Sequence, residues 1–202
     1  MIELWKNQIK ENDSILDIGC WDGKKVLELK EKTKNVYGID INPSRFIFAP
    51  KEVQKNLYFG DVTKKIPFKK KFNWIILTEV LEHVSDDTSA LANIYQSLKK
   101  GGKLILSTPR SIGFFEFWDP AWVRWKLLKG QKHHHYTKEE LFGKLNKNKF
   151  RIKEYQILGN ALWIVARWVN VFLKYGLKSK KQINYPMGPG FCDWFILAEK
   201  IK

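Results

Sequence analysis

Glycines and a carboxylate that could hold a ligand stand together near the start of the chain. A short apolar run, residues 15–18, ends at Gly19, and Gly23 follows four positions later. Glycine lets a ligand approach the backbone closely, and the free N–H groups of a helix that begins there attract negative charge. Asp17 lies inside the run, where its carboxylate can bind the amino end of a zwitterionic ligand. The spacing therefore predicts a binding loop, although an ordinary strand-to-helix turn shares this pattern.

Two more carboxylates follow the next apolar runs. Asp40 ends the second run and stands 23 positions after Asp17. An acidic residue at about this distance from a glycine loop is placed to bind ribose hydroxyls. Asp61 follows the third run and can accept a hydrogen bond from an adenine amino group, while Val62 packs on the ring. We expect a nucleoside along these strand ends; a simple loop carboxylate is the alternative at each position.

Groups able to move a proton follow the fourth run, residues 72–77. Glu82 and His83 stand just beyond that predicted strand, where an acceptor molecule can sit, and His134 lies in the second half of the chain. Imidazoles and carboxylates are the usual general bases of enzymes. The sequence leaves these three residues as candidate catalytic bases and does not rank them.

No metal site is predicted from the spacing of ligand-type residues. The segment 79–83 would need a further histidine in front to match a zinc motif. Three histidines stand in a row at 133–135, and consecutive residues rarely converge on one ion. The two cysteines, Cys20 and Cys192, do not make a disulfide framework in a chain of this size, so we interpret them as packed thiols.

Strand-like and helix-like segments alternate along the first half of the chain. Alternation of this kind predicts an α/β fold, with a parallel sheet covered by helices on both faces. The predicted strands are 14–18, 35–39, 57–59, 72–77, 103–107, 150–157 and 191–199; the predicted helices are 23–32, 86–99, 137–147 and 160–178. At 202 residues we expect one domain spanning residues 1–202.

The positive charge is concentrated in the second half. Residues 1–109 carry 18 Lys/Arg against 14 Asp/Glu, and residues 110–202 carry 18 against 7. Such an excess favours anionic partners such as nucleic acid, anionic lipid or phosphorylated substrates, and a solvated lysine-rich surface is the alternative. The N-terminus has no apolar core of a signal peptide, and we expect a cytoplasmic protein.

Two segments of the second half could shape a substrate site. Residues 110–132 are rich in aromatic side chains without a clean period, and residues 160–181 read as an amphipathic helix with a basic stripe from Arg167 onward. Such a helix suits a membrane interface. Core packing under a loop and burial against the sheet are the respective alternatives. We expect the two segments together to form an apolar, basic-rimmed acceptor site.

Five motifs in order make the first half resemble a known family. LDIGCWDG, YGIDIN, GDV, LTEVLEHV and LKKGGKLILSTP resemble, over residues 12–109, the class I S-adenosylmethionine (SAM)-dependent methyltransferases. The similarity is to the small-molecule and lipid branch, which includes ubiquinone and menaquinone methyltransferases. The segment 134–141 also resembles a motif of that branch. The resemblance implies a Rossmann-like seven-stranded sheet, mostly parallel, with an antiparallel last strand, and SAM as cofactor.

The resemblance also implies roles for the motif residues. The SAM-binding residues would be Asp17, Gly19, Cys20, Trp21, Gly23, Asp40, Ile41, Asp61, Val62, Thr78 and Val80. The family commonly has glycine where this chain has Trp21, so an indole there would be strained if the position requires a positive φ.

The expected function is methyl transfer from SAM to an oxygen, nitrogen or carbon atom of a small acceptor. The aromatic and amphipathic segments favour an apolar or lipid-linked acceptor and peripheral contact with a membrane. The basic second half leaves an RNA or protein methyltransferase as the alternative. A non-catalytic SAM-binding protein is a further alternative, and the sequence does not indicate an oligomeric state.

Overall fold

The computed structural model describes residues 5–128, 130–179 and 181–201. The strands are β1 Ile15–Ile18, β2 Val36–Asp40, β3 Leu57–Phe59, β4 Phe72–Thr78, β5 Leu98–Pro109, β6 Phe150–Leu158 and β7 Asp193–Lys200. The helices are α1 Lys24–Leu29, α2 Lys51–Gln54, α3 Asp87–Ser97, α4 Pro120–Leu128, α5 Lys138–Lys147 and α6 Ala161–Val171. Turns of 3-10 helix lie at Lys6–Gln8, Pro43–Phe48, Leu81–His83 and Gly113–Trp118, and a π-helical turn at Phe172–Gly176 follows α6.

The seven strands form one sheet in the order β3-β2-β1-β4-β5-β7-β6. The first five strands pair in parallel, and β7 lies antiparallel between β5 and β6. The predicted α/β fold, with its antiparallel last strand, is confirmed. Every residue of β1 is buried, as expected for a central parallel strand covered by helices on both faces.

The order of the strands in the sheet determines where a ligand can bind. From β1 the chain proceeds through β2 to β3 on one side, and then crosses to β4 on the other side of β1. In open α/β sheets, ligands bind at such a switch point, outside the carboxyl ends of the strands. The glycine loop after β1, Asp40 at the end of β2, and Asp61 beyond β3 therefore converge on one edge of the sheet.

The second half is more helical than the sequence analysis expects. Residues 110–132, whose sequence shows no clean period, contain the 3-10 turn 113–118 and then α4, which starts at Pro120. Proline suits a first helical position because its missing N–H is not needed there. The predicted helix 160–178 is α-helical only to Val171 and then becomes the π turn.

The aromatic residues of the insertion divide between core and surface. Trp118 is buried, whereas Phe114, Phe115 and Phe117 are exposed. Core packing therefore accounts for only part of this segment. None of the described helices is long and apolar enough to cross a membrane.

Gly38, in the middle of β2, packs directly against the binding loop that follows β1. A Cβ atom at Gly38 would lie 2.7 Å from the Cys20 Sγ atom, so the strand can pass under the loop only if this residue is glycine. We expect Gly38→Ala to lower the free energy of unfolding by about 1–3 kcal/mol, measured by urea denaturation. The double variant with Cys20→Ala should recover part of the loss.

Gly143 in α5 provides the matched control, because a Cβ atom there meets nothing within 4 Å. Gly143→Ala should stabilise the protein by up to about 1 kcal/mol through helix propensity. Equal effects of the two alanine substitutions would contradict the packing of β2 under the loop.

Candidate active site

A cavity of about 370 Å³ opens at the carboxyl ends of β1 to β4. Its volume lies within the range of small-molecule sites, which is about 300–1,000 Å³. Seven of the sequence-predicted cofactor residues line it, together with one candidate base: Gly19, Trp21, Asp40, Ile41, Asp61, Val62, Val80 and His83. The fold therefore brings residues from four separate motifs into one site.

Asp40 joins the two loops that border the cavity. Its Oδ2 atom accepts the backbone N–H of Trp21 at 2.9 Å, and its Oδ1 atom accepts the N–H of Asn42 at 2.8 Å. A carboxylate has about four lone-pair sites, so Asp40 retains acceptor capacity toward the cavity. That capacity suits a ribose diol, whose two hydroxyl groups can both donate to one carboxylate.

Trp21 adopts the left-handed conformation, with φ of 49°. A bulky residue in this region is strained by about 1–2 kcal/mol, so the strain expected from the missing glycine is present. The hydrogen bond to Asp40 holds the backbone in place. The Arg45 guanidinium lies 3.7 Å from the centre of the indole ring, and both side chains line the cavity.

Asp61 and Val62 border the cavity beyond β3. The Asp61 Oδ1 atom accepts from the N–H of Thr63 at 2.9 Å and from its hydroxyl at 2.7 Å, which fixes the carboxylate. Val62 is largely buried, whereas Ile41 is exposed where it lines the cavity. These are one hydrogen-bond acceptor and two apolar surfaces, as an adenine ring requires.

Asp17 is buried, and neither of its oxygens has a hydrogen-bond partner in the described structure. Burial raises its pKa from the ordinary 3.8 to about 6, and the Lys25 ammonium, 3.7 Å from Oδ1, opposes that rise. Asp17 does not line the cavity. Lys25 was not predicted as a site residue, yet its Nζ atom contacts both Asp17 and the Thr78 hydroxyl. The three side chains form a polar group under the glycine loop.

Other predicted cofactor residues support the loop from below rather than line the cavity. The Cys20 thiol is buried against Gly38, and the Cys20 backbone N–H donates to the Ile39 carbonyl, so the side chain packs under the loop and its contact with the cofactor stays a prediction. Gly23, with φ of 71°, caps α1 and packs near Val53 and Leu57. Gly23 therefore sets the shape of the loop without lining the cavity.

His83 is the candidate base that reaches the cavity. Its Nδ1 atom lies 2.6 Å from the carbonyl oxygen of Lys132. A carbonyl only accepts, so Nδ1 carries the proton and Nε2 keeps a lone pair. Burial lowers the pKa of His83 below its usual value of 6.5, which favours the neutral, basic form near pH 7.

Glu82 is fully buried beside His83 and does not line the cavity. Its Oε2 atom accepts from the Thr108 hydroxyl at 3.2 Å, and Oε1 lies 3.8 Å from His83 Nε2 with no hydrogen-bond partner within the described ranges. Burial, followed by the charge of Glu79, raises the pKa of Glu82 well above its usual range. Glu82 therefore lies beside His83, and its role as a catalytic base stays a prediction.

His134 does not reach the cavity. Its Nε2 atom lies 3.1 Å from both carboxylate oxygens of Glu140, and its backbone N–H donates to the carbonyl of Glu82. Glu140 is the third residue after the helix cap Thr137, so this pair belongs to the start of α5. The structure thus holds the His134 imidazole at the start of α5, and its role as catalytic base stays a prediction.

A buried polar cluster beside His83 was missed by the sequence analysis. The ring nitrogens of His133 and His135 donate to Asp119 Oδ2 at 2.6 and 3.2 Å, and Arg167 donates to Oδ1. Burial alone would raise the pKa of Asp119, but the hydrogen bonds from the two histidines, and then the Arg167 charge, lower it below its usual range. The His133 ring lies 4.8 Å from the His83 ring.

The cluster changes how the histidine triplet is interpreted. His133 and His135 converge because alternate residues of an extended segment face the same side; consecutive residues do not. Ligand-type atoms of Asp119, His133 and His135 all lie within 4.8 Å of one another, as do those of Glu82, His83 and His133. Arg167 already neutralises Asp119. The expectation of no metal stays a prediction.

The residues present fit SAM at this cavity. Asp40 suits the ribose, Asp61 and Val62 suit the adenine, and the partnerless carboxylate of Asp17, beside Lys25, suits the charged amino-acid end. An ammonium group would add the hydrogen-bond donor that the Asp17 oxygens lack, beside the ion pair with Lys25. Burial of a carboxylate without a hydrogen bond costs free energy, so bound ligand would offset part of a cost that the fold carries.

The substitution Asp17→Asn tests whether burial of the ionised Asp17 carboxylate destabilises the fold. Because the folded pKa of Asp17 is about 6 against an ordinary 3.8, the ionised group destabilises the fold above pH 6, and the penalty disappears as the pH falls toward 4. We expect Asp17→Asn to raise the free energy of unfolding by about 1–3 kcal/mol at pH 8, to lose that gain near pH 4, and to weaken SAM binding about tenfold or more.

Asp22 in the same loop is the control, because its carboxylate pairs with Lys24 at 2.7 Å. Asp22→Asn should destabilise slightly or not at all. A loss of stability in Asp17→Asn at pH 8, by urea denaturation, would contradict this account, because it would show that the ion pair with Lys25 outweighs the cost of burial.

Comparison with known proteins gives the family. The family model described as "Methyltransferase domain" matches residues 2–154. The chain is 32% identical over 111 residues to a ubiquinone biosynthesis O-methyltransferase of Rickettsia typhi, covering 53% of this chain and 45% of that protein. It is 32% identical over 103 residues to a tRNA U34 carboxymethyltransferase of Wolinella succinogenes, covering 48% and 37%. The chain thus spans less than half the length of these two curated relatives.

A solved structure supports the same fold over the whole chain. The SAM-dependent methyltransferase of Methanosarcina mazei superposes with a TM-score of 0.70 at 20% identity, covering 98% of this chain and 97% of that one. At this identity the likeness concerns the fold. Together with the family match and the cavity, it identifies the chain as a member of the methyltransferase domain family with the class I SAM-dependent fold.

Proposed function

We propose that the protein transfers a methyl group from SAM to a nucleophilic atom of a small apolar or lipid-linked acceptor. The observation that carries this proposal is the position of His83, which lines the same cavity as Asp40 and Asp61 and whose Nδ1 atom contacts the Lys132 carbonyl, so that Nε2 keeps its lone pair. The site would thereby offer both a cofactor cradle and a base.

SAM, when bound, supplies an electrophilic methyl group on a sulfonium sulfur. The contribution of the chain would be mainly positioning, because in-line displacement requires the reacting atoms about 3–3.5 Å apart. Asp40 would hold the ribose hydroxyls, and Asp61 would accept from the adenine amino group. Asp17 and Lys25 would orient the amino-acid end, with Thr78 held by Lys25.

His83 would remove the proton of an acceptor hydroxyl at its Nε2 atom. The Lys132 carbonyl fixes the tautomer that makes this possible. The imidazolium formed would lie 3.8 Å from Glu82 Oε1 and near the His133 ring, which Asp119 orients. Glu82 would stabilise that charge only in its ionised form, which its raised pKa disfavours, so proton uptake by His83 depends on this neighbour.

An apolar acceptor is supported by the exposed aromatic side chains of the insertion. The similarity to a ubiquinone biosynthesis enzyme points in the same direction. A lipid-linked acceptor would bring the protein to the periphery of a membrane, and we propose the cytoplasm as its compartment.

RNA is the second candidate acceptor, favoured by the excess of positive charge after residue 109 and by similarity to a tRNA-modifying enzyme. RNA binding would weaken steeply with salt, because phosphate contacts release counterions. Binding of a small apolar acceptor would not.

Incubation with methyl-labelled SAM and fractionated cell extract tests the proposed acceptor class. We expect the label in the organic-solvent fraction of lipids and small molecules. Label in the RNA fraction would support the second candidate. SAM binding by calorimetry with no labelled fraction at all would overturn methyl transfer as the activity.

His83→Asn tests the proposed base. For a hydroxyl acceptor, kcat should fall on the order of a hundredfold or more. In the wild type, the rate should rise with pH through a pKa below 6.5, as His83 loses its proton, and stay level above it. His83→Asn should abolish this rise of the rate with pH. His134→Asn should keep both rate and pH profile, since its imidazole binds Glu140. The reverse pattern would show that His134 is the base.

A further inference from the structure

We propose that the face formed by α4, α6 and the π turn after α6 docks on an anionic phospholipid bilayer. This surface, here called the α4–α6 face, would hold a lipid headgroup in a second cavity, apart from the cofactor site. The docking agrees with a lipid-linked acceptor but does not depend on the cofactor, and it assigns membrane anchoring to a surface that the sequence analysis expects to form the acceptor site.

The cavity in this face has a volume of about 720 Å³. Three cations line it: Arg124 of α4, Arg167 of α6 and Lys174 of the π turn. Apolar side chains supply much of the rest, among them Val123, Val171 and Trp168. An anionic head with an attached acyl chain matches this combination of surfaces.

No carboxylate opposes these cations along the helices. Residues 120–128 and 161–179 contain five Lys/Arg and no Asp or Glu. Arg167 forms an ion pair with the buried Asp119, whereas Lys174 and Lys178 are exposed to solvent. Each lysine or arginine near an anionic membrane adds electrostatic attraction to its surface.

An exposed apolar stripe runs along the same helix. Val165, Trp168, Phe172 and Tyr175 recur at helical spacing, and all four are exposed. Leu128, at the end of α4, is exposed beside the cavity. Aliphatic and aromatic side chains flanked by lysines are the surface of an interfacial helix, whose apolar side enters the boundary between headgroups and acyl chains.

A buried polar wall separates this cavity from the cofactor cavity. Among the described residues, the two have no lining residue in common. Arg167 borders the second cavity and binds Asp119. Asp119 in turn orients His133, and the His133 ring lies beside His83, which lines the cofactor cavity. A headgroup in the second cavity therefore lies beyond the reach of in-line methyl transfer. The lipid held there would anchor the protein, and the acceptor would enter the cofactor cavity.

The composition of the face favours a bilayer over two other occupants. The exposed aromatic rings of this face could stack on RNA bases, but exposed aliphatic residues such as Val165 and Leu128 add apolar area that a phosphate-rich strand does not bury. A symmetric dimer through this face would bring Lys174 and Lys178 of two copies together, and like charges oppose that contact.

Flotation with vesicles tests the docking, using the full chain without cofactor. We expect binding to phosphatidylglycerol vesicles at low salt, a marked loss at high salt, and weak binding to phosphatidylcholine. Phe172→Asp should lower the partition coefficient about tenfold or more. Lys174→Glu should lower it about fivefold or more.

Matched controls lie at the opposite end of the sheet. Phe59 in β3 is 61% exposed against 60% for Phe172, so Phe59→Asp introduces the same change at equal exposure. Lys55→Glu corresponds to Lys174→Glu. Both control variants should bind anionic vesicles like the wild type, and urea denaturation of all four variants reports whether each is folded.

Several outcomes would overturn the docking. These are no binding to anionic vesicles, equal loss in test and control variants, equal binding to both lipids, or a concentration-dependent dimer that Phe172→Asp abolishes. Salt-sensitive binding to RNA that Phe172→Asp abolishes would assign the face to nucleic acid. SAM affinity, measured by calorimetry in Phe172→Asp, separates this result from the proposed function: it should equal that of the wild type even when vesicle binding is lost.

Discussion

The carboxylate of Asp40 is the contact on which the cofactor side of the molecule depends. It accepts one backbone N–H from the loop after β1 and another from the loop after β2, and so fixes both walls of the cavity relative to each other. Without it, the left-handed backbone of Trp21 would have no polar restraint against relaxation. The parallel pairing of β1 and β2 brings the two loops to the same edge of the sheet. The two hydrogen bonds accepted by Asp40 then fix the positions of these loops around the cavity.

The site stores unfavourable features that a ligand would relieve. Trp21 and Glu79 both hold positive φ angles at the cavity, and strained backbone of this kind persists where the surrounding structure holds it in place. Asp17 is buried without a hydrogen-bond partner in the residues that the structure describes. Stability and ligand affinity are therefore opposed at this edge of the sheet, as is common for binding sites.

The sequence predicts well what local patterns encode. The run 15–18 and its glycines indicate a strand, a loop and a helix start, and the structure contains all three. Contacts between distant segments leave no such pattern. Lys25 meets Thr78 across 53 residues, and Arg167 meets Asp119 across 48. Arg167 lies in the basic stripe read from the sequence, yet its charge neutralises a buried carboxylate. Only the packing of the helical segments reveals which cations remain for a partner.

We infer that the edge formed by β1, β2 and the segment after β3 is a SAM site. A crystal structure of the full chain with S-adenosylhomocysteine, the demethylated product, would locate the ligand. We expect both ribose hydroxyls within hydrogen-bond distance of Asp40, the adenine between Ile41 and Val62, and the amino group directed toward Asp17. A ligand bound outside this cavity, or a ribose that does not contact Asp40 in a well-defined complex, would contradict this inference.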